Sequence, residues 1–244
     1  MTLLASFHLA RYPRATAPDG MARMGFDRPA LARTPGLRFW KLMGTGRGAS
    51  MTLGADLRRW ALFAVWEDEA ALDDFLAGSE VTTRRAELGA ETYDVRLDPL
   101  RARGAWGGAN PLPAAAGDPG EGPVAILTRA TIRPRRMVAF YRAIPPTSDE
   151  LARSPGMLAS VGVGEWPLAR QGTFSMWKSQ ARVRDYSAGQ PGHREVMRRT
   201  RAESWYSEEL FARFRPYGAR GTWDGRDPLA AVTPARSLAP PPLH

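Results

Sequence analysis

Apolar residues along the chain follow the alternation of short strands and helices, and the same order of elements occurs twice. The first half predicts four strands and two helices: strands at residues 3–8, 37–43, 60–66 and 92–97, and helices at 21–32 and 67–76. The second half predicts four strands and two clear helices: strands at 124–132, 157–163, 173–177 and about 215–223, and helices at 135–142 and 179–186. Each half therefore has the β-α-β-β-α-β order of ferredoxin-like folds.

Short blocks of sequence also recur in the two halves. Three pairs of blocks match in the same order: 35–36 with 155–156, 63–66 with 174–177, and 102–108 with 219–225. Such recurrence indicates an internal duplication. Each sheet needs its bare face covered, so two halves of this kind can pair their sheets. The predicted fold class is α+β, with two tandem ferredoxin-like halves forming a dimeric α/β-barrel-type fold within one chain.

The predicted domain organisation follows from the repeat. Residues 1–98 form a mainly structural half, a linker rich in Gly, Pro and Ala spans 99–122, residues 123–230 form the half with the site, and 231–244 form a flexible tail. One copy of a duplicated unit can hold the fold while the other acquires chemistry. Two differences favour the second half: Ser175 stands where the first half has Ala64, and His193 has no counterpart.

The segment 191–214 contains this second difference. It begins with Pro191-Gly192, continues with His193, and then has a long helical pattern that ends in aromatic residues. The residues alone leave two interpretations of His193, a histidine at the surface or in the first turn of a helix, and a cofactor ligand.

The composition restricts the metal chemistry. The chain of 244 residues has no cysteine and three histidines, so disulfides, iron–sulfur clusters and thiolate-ligated haem are excluded. A 2-His-1-carboxylate site is not indicated, because the histidines are too far apart in the sequence. A metal would therefore have to use very few protein ligands or arrive inside a cofactor.

The chain carries a net charge of +9, and Lys41 and Lys178 are the only lysines among 34 basic residues. The arginines are scattered and no nucleic-acid motif occurs, so we expect no nucleic-acid partner. The N-terminal residues lack a basic start and a cleavage site, and no apolar run approaches about 20 residues. These features predict a cytoplasmic protein with at most peripheral contact with a membrane.

Five blocks resemble the spheroidene monooxygenases, the acyclic carotenoid 2-ketolases. They are Gly-Ala-Trp-Gly-Gly at 104–108, Leu-Thr-Arg-Ala-Thr-Ile at 127–132, Gly-Val-Gly-Glu-Trp-Pro at 162–167, Thr-Phe-Ser-Met-Trp at 173–177, and Trp-Tyr-Ser-Glu-Glu-Leu-Phe-Ala-Arg-Phe at 205–214. The resemblance implies a haem-dependent monooxygenase that hydroxylates C-2 of an acyclic carotenoid with O2, repeats the step, and loses water to give a ketone. It implies haem b as the cofactor, a small apolar substrate, and reduced ferredoxin as a candidate electron donor. A homodimer is a candidate oligomeric state.

The resemblance also assigns roles to individual residues. His193 becomes the axial ligand of the iron, as in other haem enzymes with duplicated ferredoxin-like halves. Ser175 and Arg129 are the candidate catalytic residues. The residues assigned to cofactor binding are His193, Arg133, Trp177 and Trp205. Alternation predicts that Ser175 and Trp177 share a strand face with Thr173, and that Arg129 and Arg133 share one face of the strand that starts at Val124. A surface ion pair is the alternative role for each arginine.

Three other functions remain open from the sequence. The first is a haem enzyme that does not oxygenate, such as a dehydratase acting on an N–O substrate in the manner of aldoxime dehydratases. The second is a non-catalytic carrier of haem or of another lipophilic molecule. The third is a dimeric α/β-barrel protein without a cofactor.

Overall fold

Eight antiparallel strands form a closed barrel. The computed structural model describes residues 3–47, 54–112, 117, 120–166, 169–189 and 191–232, and gives the backbone alone for 144–149, 166, 191, 193 and 201. The strands are β1 (Leu4–Arg11), β2 (Leu37–Gly46), β3 (Ala55–Trp66), β4 (Glu91–Gly104), β5 (Val124–Ile132), β6 (Met157–Trp166), β7 (Arg170–Trp177) and β8 (Tyr206–Gly221). Their order around the barrel is β1-β3-β2-β6-β7-β5-β8-β4.

Helices cover the outside of the barrel. They are α1 (Ala17–Phe26), α2 (Arg28–Ala32), α3 (Glu69–Gly78), α4 (Glu80–Leu88), α5 (Met137–Ala152), α6 (Gln180–Gly189) and α7 (Pro191–Ala202). Both helices after β3 begin at polar caps: the carboxylate of Asp68 accepts from the Ala71 amide, and the hydroxyl of Ser79 accepts from the Thr82 amide. Among the helices that the structure describes, none is long and apolar enough to cross a membrane.

Each half contributes four neighbouring strands in the ferredoxin-like order. The two sheets join at β2–β6, through Gly44 opposite Gly164, and along β4–β8, from Tyr93 opposite Gly221 to Gly104 opposite Leu210. Barrel closure pairs the strand edges that a separate four-stranded sheet would leave open. This confirms the predicted fold class.

The inward-facing side chains of both halves fill the barrel. The Phe7 and Phe174 rings stack with centroids 3.9 Å apart, and Trp223 packs against both. Tyr93 and Phe214 are also fully buried in this cluster. The barrel interior is therefore a packed core, and a ligand has to bind outside it.

The duplication is visible in backbone hydrogen bonds. Gly36 and Gly156 both have positive φ, and their carbonyl oxygens accept from Glu67 and Lys178 over the same distance of 2.8 Å. The Trp106 amide donates to Ala109, and the Trp223 amide donates to Arg226, again at 2.8 Å in both cases. The matched blocks thus form the same turns in both halves.

Several predicted boundaries are corrected by the structure. The helical pattern of 191–214 ends at Ala202, and β8 begins at Tyr206, because residues 206–214 pair with β5 and residues 210–214 also pair with β4. Residues 99–104 continue β4 instead of opening the linker. A single helix, α5, replaces the shorter helix at 135–142 and the separate turn expected after it, and α4 was not predicted. Most of the predicted flexible tail, 233–244, lies outside the described residues.

The glycines that end the long barrel strands should be irreplaceable. Gly104 has a φ of +92°, and a Cβ there would overlap the carbonyl oxygen of Glu209. We expect Gly104→Ala to lower the free energy of unfolding by at least about 2 kcal/mol, because positive φ and the overlap both oppose a side chain. Denaturant unfolding measures this change. Gly25→Ala, in an open position of α1, is the control and should be neutral or stabilising by up to about 1 kcal/mol. Equal effects of the two substitutions would contradict the assigned strain.

Candidate functional site

A cavity of about 420 Å³ lies between the outer face of the second half's sheet and its helices. Its floor comes from strands β5, β7 and β8 with the end of β4, and its roof comes from α5, α6 and α7. The floor residues include Ile126, Thr128, Thr173, Ser175, Trp177, Phe211, Arg213 and Arg103. The roof residues are Leu151, Val183, Tyr186, Ser187, Val196, Met197 and Thr200.

The corresponding surface of the first half is filled by side chains. Leu31, Leu72 and Phe75 of its helices pack directly on Ala64 and Trp66 of β3 in one buried cluster. A pocket of about 40 Å³ remains nearby, beside His8. The two halves share the arrangement of their strands and turns. The cavity of the second half therefore results from the way its helices cover the sheet.

Strand register arranges the floor in rows. Ser175, Ile126 and Arg213 lie opposite one another on β7, β5 and β8, and Thr173, Thr128 and Phe211 form the next row. Alternation along each strand presents these residues on the outer face, while their neighbours fill the barrel. The predicted common face of Thr173, Ser175 and Trp177 therefore forms part of the cavity wall.

Ser175 presents a hydroxyl to this cavity. Its oxygen accepts a hydrogen bond from the Trp177 indole nitrogen at 3.0 Å, which fixes the orientation of the oxygen. Trp177 itself packs against Tyr186 with ring centroids 5.4 Å apart. Because the indole is only a donor, the hydroxyl proton of Ser175 can be donated to a ligand in the cavity.

The first half uses its equivalent polar groups for structure. The Trp66 indole donates to the hydroxyl of Ser6 at 2.8 Å, and that hydroxyl also hydrogen-bonds His8 Nε2 at 2.7 Å. His8 Nδ1 hydrogen-bonds Asp94, which Arg85 also contacts, each at 2.7 Å. This Ser-His-Asp connectivity was not signalled by the sequence. It is not a nucleophile site, because Ser6 and His8 are each 1% exposed and Ser6 borders neither cavity.

Arg129 borders the cavity, but acidic residues already engage its guanidinium. It is 5% exposed and forms ion pairs with Glu208 and, at 3.4 Å, with Glu165. The guanidinium carbon of Arg129 lies 5.7 Å from the ring centre of Trp106, and the Trp106 indole donates a hydrogen bond to Glu165 at 2.6 Å. Through Glu208, which also accepts from the amides of Gly107 and Gly108, Arg129 connects the turn after β4 to the second half. Its contacts are those of an ion pair, the alternative role given to it above.

Two other predicted cofactor-binding residues lie beside the cavity instead of in its wall. Arg133 follows the end of β5 and donates to the carbonyl of Tyr206 at 3.1 Å. Trp205 is fully buried against Phe140 and donates to Glu203 at 2.9 Å. Both hold the start of β8, where Tyr206 does reach the cavity. Burial raises the pKa of the Tyr206 phenol to about 12, so it stays protonated.

His193 is the third residue of α7, and the structure describes its backbone alone. Position 193 precedes Val196 and Met197 by three and four residues, and Thr200 by seven, and these three residues line the cavity. That spacing places position 193 on the cavity face of the helix. Among the described residues, no group of three or more His, Asp or Glu side chains could hold a bare metal ion.

The structure also adds wall residues that sequence reasoning missed. They include Arg103, Tyr206, Phe211 and Arg213. Phe211 and Arg213 alternate with the inward-facing Leu210 and Ala212, and this period of two was obscured by the helical interpretation of the segment.

The fold and the cavity define a class, the dimeric α/β-barrel proteins with a ligand-sized cavity under the helices of one half. Two solved structures of aldoxime dehydratases share the fold, each with a TM-score of 0.59. One is 12% identical and aligns over 88% of this chain and 81% of its own. The other, OxdRE in complex with butyraldoxime, is 11% identical and aligns over 88% and 79%. No protein-family model matches the sequence.

Sequence relatives narrow this class to one family. The spheroidene monooxygenase of Rhodobacter capsulatus is 37% identical over 239 residues, which is 97% of this chain and 99% of that protein. The spheroidene monooxygenase of Rubrivivax gelatinosus is 38% identical over 198 residues, 81% of this chain and 75% of that protein. The chain belongs to the spheroidene monooxygenase family and is an oxidoreductase.

The buried His8 network should make the fold sensitive to acid. Burial lowers the pKa of His8 below its ordinary 6.5 despite the bond to Asp94. Burial would raise the pKa of Asp94, but His8 and Arg85 outweigh it and lower that pKa to about 2, so Asp94 stays ionised near neutrality.

Below about pH 6.5 the unfolded chain therefore binds a proton that the folded chain does not, and stability is lost as the pH falls. Urea unfolding between about pH 7.5 and 5 should show this loss. His8→Gln should be less stable at neutral pH and have a flatter pH dependence. If the variant and the unmodified protein lose stability in parallel, His8 is not responsible.

Proposed function

We propose that this monooxygenase binds haem b in the cavity of its second half and uses O2 to oxidise an acyclic carotenoid such as spheroidene. The observation that carries the proposal is the cavity itself. In the second half the helices stand away from their sheet, whereas in the first half the helices pack directly on theirs. The family relatives support the substrate class, since they are named for a spheroidene reaction.

The residues around the cavity fit a haem. A volume of about 420 Å³ is within the usual range of roughly 300–1,000 Å³ for cofactor and ligand pockets. Ile126 and Phe211 on the sheet face Val183 and Met197 on the helices, so an apolar macrocycle would find apolar walls on both faces. Arginines at one end would suit its carboxylates.

His193 is the best-placed histidine for the iron. Both ring nitrogens of His8 are already bonded, to Ser6 and Asp94, in the opposite half of the chain. Position 193 lies on the cavity face of α7, at the start of that helix. An imidazole there could bind iron through one nitrogen, while the other needs an acceptor to fix its tautomer.

When bound, the haem would supply the activation of O2 and the transfer of oxygen. The chain would supply position and polarity. The hydroxyl of Ser175, oriented by Trp177, would donate a hydrogen bond on the sheet side of the cavity, opposite α7. Thr128 and Thr173 would add polar contacts there, and the surrounding apolar walls would exclude water.

The overall reaction requires electrons as well as O2. Each hydroxylation consumes one O2, two electrons and two protons, inserts one oxygen atom into a C–H bond, and releases one water. A second hydroxylation of the same carbon gives a geminal diol, which loses water to form the ketone. Reduced ferredoxin is the proposed donor of the electrons. The fold shared with aldoxime dehydratases does not by itself favour dehydration, and family membership favours oxygenation.

The haem proposal has a direct spectroscopic test. Protein produced with haem should show a Soret band, and His193→Ala should lower haem occupancy at least about tenfold, because loss of even a supporting residue around a metal ligand costs about 10–100-fold. His244→Ala is the matched control and should retain the band. Full haem occupancy in His193→Ala would rule out the ligand assignment.

If Ser175 has the proposed role, its substitution should lower turnover of the substrate without weakening haem binding. Ser175→Ala restores the residue of the first half, Ala64, and should keep the Soret band. Turnover of spheroidene should fall about 100- to 1,000-fold, as for removal of one positioned donor. Product analysis with O2 and reduced ferredoxin measures this loss. The control Ser207→Ala lies outside the cavity and should behave as the unmodified protein. Unchanged turnover in Ser175→Ala would contradict the role.

A further inference from the structure

Four arginines converge at one end of the cavity. Arg213 lies on the outer face of β8, and Arg101 is directly opposite it on β4. Arg103 lies opposite Phe211 in the next row, and Arg184 approaches from α6. Of these, Arg103 and Arg213 line the cavity.

These four charges have no neutralising partner among the described residues. Acidic side chains pair with buried arginines such as Arg96, which contacts Glu69 and Asp73, whereas no acidic side chain of the described chain lies within 4 Å of the half-buried Arg213. Within the same part of the chain, Arg213 Nε is buried without a hydrogen-bond partner. Burial lowers the pKa of Arg213, and Arg101, Arg184 and Arg103 lower it further. Four guanidinium groups of like charge repel one another, and one of them has a buried nitrogen without a partner, so this arrangement favours a bound anion.

Phe211 holds two of the cations in place. The guanidinium carbons of Arg103 and Arg213 lie 5.4 Å and 5.8 Å from the centre of its ring. Both remain at the floor of the cavity, with their planar donor groups free to bind carboxylates in a bidentate manner.

We infer that Arg213, supported by Arg103 and Arg101, binds the two propionate carboxylates of the cofactor. This inference rests on the proposed haem site and specifies which residues recognise the charged edge of the cofactor. The proposed carotenoid carries no charge, so the cluster has no use toward the substrate. Arg133, the earlier candidate, donates to a backbone carbonyl instead.

The same arrangement fixes the orientation of the cofactor. Glu209 lines the cavity four residues before Arg213 on the same strand, about 13 Å away at the rise of a β-strand. A carboxylate at the Glu209 end would be repelled, while one at the Arg213 end would be attracted. The propionate edge would therefore lie at the Arg213 end of this stretch of β8, in a single orientation.

The test compares haem with its dimethyl ester, which keeps the macrocycle and lacks the carboxylates. Each would be titrated into haem-free protein and followed by absorbance. The unmodified protein should bind haem at least about tenfold more tightly than the ester. Arg213→Gln should bind haem about 10- to 100-fold more weakly, with little change for the ester, because it loses a hydrogen bond between charged groups.

Arg215→Gln is the matched control. It removes the same charge two residues along β8, from a side chain that pairs with Asp98 at 3.1 Å and does not line the cavity. It should preserve the preference for haem over the ester. Equal affinities of the unmodified protein for haem and ester, or equal losses for both ligands in Arg213→Gln, would overturn this inference alone. Failure of the unmodified protein to bind either ligand would overturn the haem proposal and this inference with it.

Discussion

Every strand of this barrel has two faces to bury, and the inner faces of both halves share one packed core. The side chains of both halves fill the barrel, so the outer faces alone can vary between the two copies. In the first half, Leu72 and Phe75 of α3 pack directly on the outer face of the sheet and cover it. In the second half, α6 and α7 leave about 420 Å³ over β5, β7 and β8. The site of this protein is a consequence of that difference.

The two copies use their polar side chains on the outer face of the sheet differently. The first half satisfies its buried polar groups internally, through Ser6, His8 and Asp94, and this satisfied network stabilises the packing. In the second half, Ile126 and Thr128 occupy the positions of Ser6 and His8. The serine of the second half is on β7 instead, as Ser175, at the position of Ala64. The hydroxyl, held by Trp177, then faces a cavity.

Much of the fold could be predicted from the sequence, because period-two alternation and repeated turn blocks are local signals. The strand at 124–132 has its predicted bounds. The start of β8 at residues 206–214 could not be predicted in this way, since barrel closure against β4 and β5 decides its structure. The sequence left Arg129 with two roles, catalysis or an ion pair, and its partners Glu165 and Glu208 could not be identified because they lie on other strands. The cavity also depends on helix packing, which has no local signal.

The most direct measurement of the central claim is an experimental structure of the protein isolated with haem. The account predicts one haem between the outer face of β5, β7 and β8 and helices α6 and α7, with the His193 imidazole on the iron and Ser175 on the opposite side. A haem bound against the first half, inside the barrel or between two chains would contradict the account.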